Sequence, residues 1–167
     1  VALLHALDED FEVPILLAQH LSARFSEGFV RFLRSHTERS VRLCDSRVEL
    51  ATNMLIVAAP ELHMELESLS AVRPRAGAAV HGNRPSVSVL MHSAARVAGA
   101  AAAGVMLSGM GEDGADGLLA MREAGALTAS ELEPAVDGMP RAAREIGAVS
   151  FSESIVDLAQ RIRDGRR

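Results

Sequence analysis

The stretch Gly104-Val105-Met106-Leu107-Ser108-Gly109-Met110-Gly111-Glu112-Asp113-Gly114-Ala115-Asp116-Gly117 reads as an apolar strand, a glycine-rich turn and the start of a helix. Four of the nine residues from Gly109 to Gly117 are glycine. Glycine permits positive φ and close backbone approach, so such a turn sets peptide N–H groups and one or two side chains at the carboxyl edge of a sheet. In α/β folds that edge is where ligands are held.

Outward from this stretch, short runs rich in Val, Ile and Leu alternate with longer amphipathic segments, the pattern of buried parallel strands joined by helical crossovers. The expected class is therefore α/β. Strands are expected at Val13 to Gln19, Val41 to Asp45, Met54 to Ala58, Leu62 to Leu66, Gly104 to Leu107, Leu127 to Ser130 and Ala148 to Ser150, with the pair around Pro60 open to a hairpin reading. Three- and four-residue apolar spacing predicts helices over Ala2 to Glu9, Phe25 to His36, Val87 to Ala103, Ala115 to Ala124, Pro140 to Ile146 and Ile155 to Arg163, the third capped by Ser86. Ser68 to Pro85, with two prolines, two glycines and little periodicity, reads as a long surface loop.

The 167 residues, 49% hydrophobic and 23% charged, suit one compact soluble domain. A net charge of −5, with 17 basic residues scattered among 22 acidic ones, offers no basic stripe for a phosphate backbone, so nucleic acid is not expected as a partner. The single cysteine, Cys44, lies in an apolar run and is expected to be a buried structural thiol. With no leader or long apolar span ahead of the first motif, the expected location is cytoplasmic, without membrane insertion. Five Phe and no Trp or Tyr leave the core to Ala, Val, Leu, Ile and Met and provide no stacking platform for bases or sugars.

The glycine-rich turn admits several chemistries. Gly109 to Gly114 spells G-x-G-x-x-G between strand and helix, with Glu131 or Glu133 downstream, but Glu112, Asp113 and Asp116 would face a pyrophosphate that wants donors. The same carboxylates are hard ligands for calcium but miss the spacing of a calcium loop. Asp113 or Asp116 could also simply cap the helix that begins near Ala115. A second signal is Ile15-Leu16-Leu17-Ala18-Gln19-His20, an apolar strand delivering a histidine at its carboxyl end. If the two strands are parallel, His20 and Asp113 share an edge, and a carboxylate beside an imidazole is two-thirds of a hydrolytic triad. The six histidines form no H-x-x-x-H or H-E-x-x-H pair, so neither a metal nor any other cofactor is expected.

Four blocks in order resemble the protein-glutamate methylesterase domain of bacterial chemotaxis. They are Ala18-Gln19-His20-Leu21 with Gly28-Phe29; Ala58-Ala59-Pro60 with His63-Met64-Glu65-Leu66; Asn83-Arg84-Pro85-Ser86-Val87 through Leu90-Met91-His92-Ser93; and Leu107-Ser108-Gly109-Met110-Gly111-Glu112-Asp113-Gly114 with Gly138-Met139-Pro140. The resemblance implies a doubly wound, mostly parallel sheet flanked by helices in three layers, Rossmann-like. It matches His20 to the family's catalytic base, Asp113 to its orienting carboxylate, and Met110 with Gly111 to the loop that supplies backbone donors near the oxyanion. It further implies hydrolysis of glutamate methyl esters on methyl-accepting receptors, with glutamine deamidation beside it. The methylated chemoreceptor cytoplasmic domain would be the partner, together with a separate receiver domain.

The family's nucleophile lies in a G-A-S-x-G-G segment directly before the helix that here starts near Val1. The expectation is one domain over residues 1–167 that is incomplete at its N-terminus, lacking that serine and the first strand, so that two neighbouring strands keep unpaired backbone groups. Smaller departures are Ser108 for a usual Thr, Ser88 for an acidic residue and Ser130 near a usual Gln; the last two are expected to remove a charge and a long amide from the substrate edge. Ser108 and Ser22 lie close enough in sequence to the two motifs to be considered as substitute nucleophiles, but neither follows a strained nucleophile turn, and polar loop roles are expected for both. The esterase reading thus stands beside an inactive fragment serving as a binding module and a nucleotide-binding domain built on Gly109 to Gly114.

Overall fold

β4 (Met54–Ala58) is buried along its whole length and takes parallel partners on both sides, β1 (Ile15–Leu17) and β2 (Ser40–Cys44). Successive strand side chains point to opposite faces, so a strand covered on both must be apolar throughout. Met54, Ile56 and Ala58 enter one core cluster, while Leu55 and Val57 enter another with Leu4, Val30, Leu33 and Val41. The computed structural model describes residues 1–7 and 11–165.

The remaining elements are α1 (Ala2–Leu7), α2 (Ala23–Arg34), β3 (Val48–Glu49), β5 (His63–Ser68), β6 (Ala71–Arg75), α3 (Val87–Ala98), β7 (Ala103–Met106), α4 (Ala115–Glu123), β8 (Leu127–Glu131), α5 (Met139–Glu145), β9 (Phe151–Glu153) and α6 (Ile155–Asp164). Helices cover both faces of the parallel strands: α3 and α4 pack on the first cluster through Val87, Leu90, Met91, Leu118 and Met121, and α1 and α2 pack on the second. A third cluster joins Leu7 and Phe11 to Ala159 and Ile162 of α6. The architecture is the expected three-layer α/β fold. The far end of the first predicted helix, at Glu9, lies outside the described residues.

The parallel strands form two three-stranded sheets, β1-β4-β2 and β7-β8-β9, instead of one continuous sheet. Among the described residues β1 pairs only with β4, and β7 only with β8. Ile15 of β1 packs against the same cluster as Ala103 and Val105 of β7.

Three expectations need correction. The predicted loop from Ser68 to Pro85 contains β6, which pairs antiparallel with β5 and β3 in a separate sheet, so the strand after Pro60 joins β6 and not β4. Pro74 fits because it sits opposite Met64, beyond the two residues of β6 that β3 covers, on an open side where its missing N–H costs no ladder bond. The last strand is Phe151–Glu153 and not Ala148 to Ser150, because the wholly buried Ala148 packs in the core as the chain leaves α5. The third helix stops at Ala98, giving way to a short 3-10 turn at Gly99–Ala101 before β7; an alanine-rich run carries no period that would mark this end.

Gly114, at φ +93°, caps α4 under a tight roof: a Cβ there would lie 2.6 Å from Val87 Cγ1 and 2.7 Å from Met106 Cε. Gly28, inside α2, has open space around it. In urea denaturation Gly114→Ala should destabilise the fold by about 2–4 kcal/mol, from left-handed strain plus overpacking. Gly28→Ala should stabilise it by about 0.5–1 kcal/mol, through helix propensity alone.

Candidate active site

His20 lies three residues past β1, and Asp113 closes the turn between β7 and α4. Both chain segments leave their strands at the carboxyl edge, and the side chains meet there: His20 Nε2 is 2.7 Å from Asp113 Oδ2. An ionised carboxylate can only accept, so Nε2 carries the proton and Nδ1 is left for another partner. The ring stays accessible, its side chain 24% exposed, while that of Asp113 is wholly buried.

A buried carboxylate must have its lone pairs filled. Asp113 Oδ2 also accepts the Val87 N–H at 2.8 Å, and Oδ1 accepts the Ser86 hydroxyl at 2.7 Å and the Ser88 N–H at 3.1 Å. Asp113 therefore does cap a helix, but it caps α3, whose first-turn amides have no internal acceptor, and not α4, which follows Gly114 without a side-chain cap. Ser86 caps α3 as expected, accepting the Val89 N–H at 3.4 Å, and its hydroxyl proton turns to Asp113. Burial alone would raise the Asp113 carboxyl, but the bonds from His20, Ser86, Val87 and Ser88 outweigh it and hold the group well below the usual carboxylate range.

Met110 stands at the tip of the turn, 81% exposed, followed by Gly111 at φ +85°. Among the described residues no acceptor takes the amide N–H of either. The turn is pinned from below: the N–H groups of Gly138 and Met139 donate to the Gly109 carbonyl, and that of Gly109 donates to Val136. A Cβ on Gly138 would fall 2.7 Å from Gly109 O and 2.8 Å from Gly111 N, which explains the glycine of Gly138-Met139-Pro140. Beside His20, a hollow is lined by Gln19, Leu21, Phe29, Leu43, Pro60 and Pro85.

The serines that mark departures have visible partners. Ser108 binds Glu131 through its N–H and accepts the Val136 N–H on its hydroxyl, holding two loops together. Ser130 pairs with Ser152 across β8 and β9 at 2.9 Å. Ser88 accepts the Gly114 N–H at 2.8 Å and donates to Asp116, whose other oxygen lies 3.1 Å from His92 Nε2 and 3.6 Å from His81 Nε2. Asp116 thus sets a carboxylate beside Ser88. Burial works against that carboxylate too, but Ser88 and His92 pull its pKa below the ordinary value.

Ser22 stands just before α2 without a side-chain cap bond, and among the described residues no serine hydroxyl is bonded to His20. Cys44 is buried as expected, and burial, with Asp45 adding to it, pushes its thiol up to about 11.

Sequence reasoning missed the three groups of the α3 N-terminus that fix Asp113. Arg84-Pro85-Ser86-Val87 was the available signal, a proline followed by a capping serine. Asp113→Asn should cost about 2–4 kcal/mol at pH 7, because the amide cannot satisfy the same donors. Asp113 has a depressed folded pKa, so its contribution is complete above the unfolded value of about 3.9 and is lost as pH falls through the folded one. In urea titrations the gap between the wild-type protein and Asp113→Asn should accordingly stay level from pH 7 to about pH 5 and narrow steadily below about pH 4.

Comparison with known proteins identifies the family and the fold. The family model described as CheB methylesterase matches residues 1–162. Protein-glutamate methylesterase/protein-glutamine glutaminase 1 of Caulobacter vibrioides is 40% identical over 156 residues, covering 90% of this chain and 45% of that protein. The protein-glutamate methylesterase/protein-glutamine glutaminase of Escherichia coli K12 is 39% identical over 151 residues, covering 87% and 42%. The chain thus spans less than half the length of these curated relatives. The crystal structure of the Thermotoga maritima CheB methylesterase catalytic domain superposes with a TM-score of 0.87 at 21% identity, covering 98% of this chain and 89% of that one. With its fold, the order of its motifs and the family match in agreement, the chain belongs to the CheB methylesterase family.

Proposed function

We propose that this chain carries the acid–base half of a hydrolase that cleaves glutamate γ-methyl esters on methyl-accepting chemoreceptors, with glutamine deamidation as the related activity. The observation that carries the reading is the 2.7 Å bond between His20 and the buried Asp113. The nucleophile is a serine outside residues 1–167. Its hydroxyl oxygen attacks the ester carbonyl while His20 Nδ1 takes the proton, and Asp113 stabilises the resulting imidazolium. The amides of Met110 and Gly111 face the developing oxyanion. As the carbon–oxygen bond breaks, His20 returns the proton to the departing methoxide, releasing methanol. Water activated by the same nitrogen then cleaves the acyl-serine ester, leaving a glutamate carboxylate and the regenerated hydroxyl. The partners are the methylated cytoplasmic region of the receptor and a receiver domain, in the cytoplasm; among the described residues no helix is long and apolar enough to cross a membrane.

A second reading, a binding module without turnover, is favoured by the lack of a serine bonded to His20 among the described residues. Two experiments separate the readings. Methanol release from methyl-labelled receptor membranes, measured with the chain joined to a G-A-S-x-G-G segment, should fall by about 10³-fold or more on His20→Ala. Substantial residual release would sink the His20 assignment. A fluorophosphonate should label the joined protein; receptor binding without labelling or release would establish the binding module.

A further inference from the structure

His63 is wholly buried at the start of β5, and both of its ring nitrogens are engaged by backbone. Nε2 lies 2.8 Å from the carbonyl oxygen of Ala78, and Nδ1 lies 3.2 Å from the N–H of Ser86. A carbonyl only accepts and an amide N–H only donates, so the ring is fixed as the neutral tautomer protonated on Nε2. The Ser86 bond bears on the site because Ser86 is the hinge of the Asp113 cradle. Its hydroxyl donates to Asp113 Oδ1, and the next two amides, of Val87 and Ser88, donate to the two carboxylate oxygens. A chain of contacts therefore runs from the His63 ring through the Ser86 backbone and the first turn of α3 to Asp113, and from Asp113 Oδ2 to His20 Nε2.

We propose that His63 is a positioning residue for the His20–Asp113 pair, acting as the acceptor that holds the Ser86 amide and with it the α3 N-terminus that aims the Asp113 carboxylate at His20. Nothing else among the described residues accepts the Ser86 N–H. Without that acceptor a buried donor is left bare, and the first turn of α3 shifts to find another. The kinetic consequence rests on the hydrolase reading above; the geometric one does not.

Two near-isosteres separate positioning from packing. In His63→Asn the side-chain oxygen falls where Nδ1 was and keeps the Ser86 bond. In His63→Gln the side-chain amide nitrogen falls near Nε2 and keeps the Ala78 bond while the acceptor for Ser86 is lost. The primary measurement is the ring ¹⁵N spectrum of His20 in the 167-residue chain, which reports whether Nε2 carries the hydrogen-bonded proton. The wild-type protein and His63→Asn should show the Nε2–H tautomer, and His63→Gln should lose it toward the mixture of a free imidazole. Methanol release from the serine-bearing form should drop about tenfold or more in His63→Gln and be largely restored in His63→Asn.

Equal His20 spectra in the two variants, an Nε2 that is unprotonated in the wild-type protein, or unfolding of both variants would overturn the proposal, the last by making His63 a packing residue. Spectra that follow the expectation with no release from any form would leave the positioning role standing and sink the hydrolase reading instead.

Discussion

A carboxylate with no exposed surface has to be neutralised by its surroundings, and in this fold that one requirement organises an entire edge. Asp113 is fed by the amino end of α3, by the Ser86 hydroxyl and by the His20 ring. Three segments far apart in the chain are thereby tied to one residue: the turn after β7, the start of α3 and the strand exit after β1. The positive end of a helix and three hydrogen bonds are set in place by folding, so the imidazole meets a charge whose orientation needs no adjustment. Preorganisation and stability are here the same set of bonds.

How much of this could be read from residues alone follows from how local each signal is. The glycines of the Gly109 to Gly117 turn and the apolar runs before His20 and before the turn announce strand exits, because turn chemistry and strand burial are written in contiguous residues. The shared edge of His20 and Asp113 followed once parallel strands were assumed. The backbone amides that hold Asp113 were illegible, since a main-chain donor has no residue-type signature and its partner is 26 positions away in the case of Val87. β6 escaped because Ala71 to Arg75 is short and contains Pro74, a residue that argues against a strand unless one knows that its side of the ladder is open. The individual roles of His20, Met110 and Gly111 came from the family resemblance, not from periodicity.

The two halves of the parallel layer differ in what they supply. The β1-β4-β2 half delivers the imidazole, and the β7-β8-β9 half delivers the carboxylate and the Met110 turn. The small antiparallel sheet carries His63 at the start of β5 beneath the α3 start, so it supports the same edge.

The contact between Ser88 and Asp116 couples two helices at the same edge. The Ser88 hydroxyl on α3 is bonded to the Asp116 carboxylate on the neighbouring helix α4. The two positions are coupled: an acid at 88 would set a like charge beside Asp116, and loss of Asp116 would leave His92 facing no anion while the Ser88 hydroxyl still held the Gly114 N–H. The energetic effect of a change at either position therefore depends on the residue at the other. An acid introduced at 88 alone would lose the hydroxyl that bridges the Gly114 N–H and Asp116, so the two residues work as one unit of the α3–α4 contact.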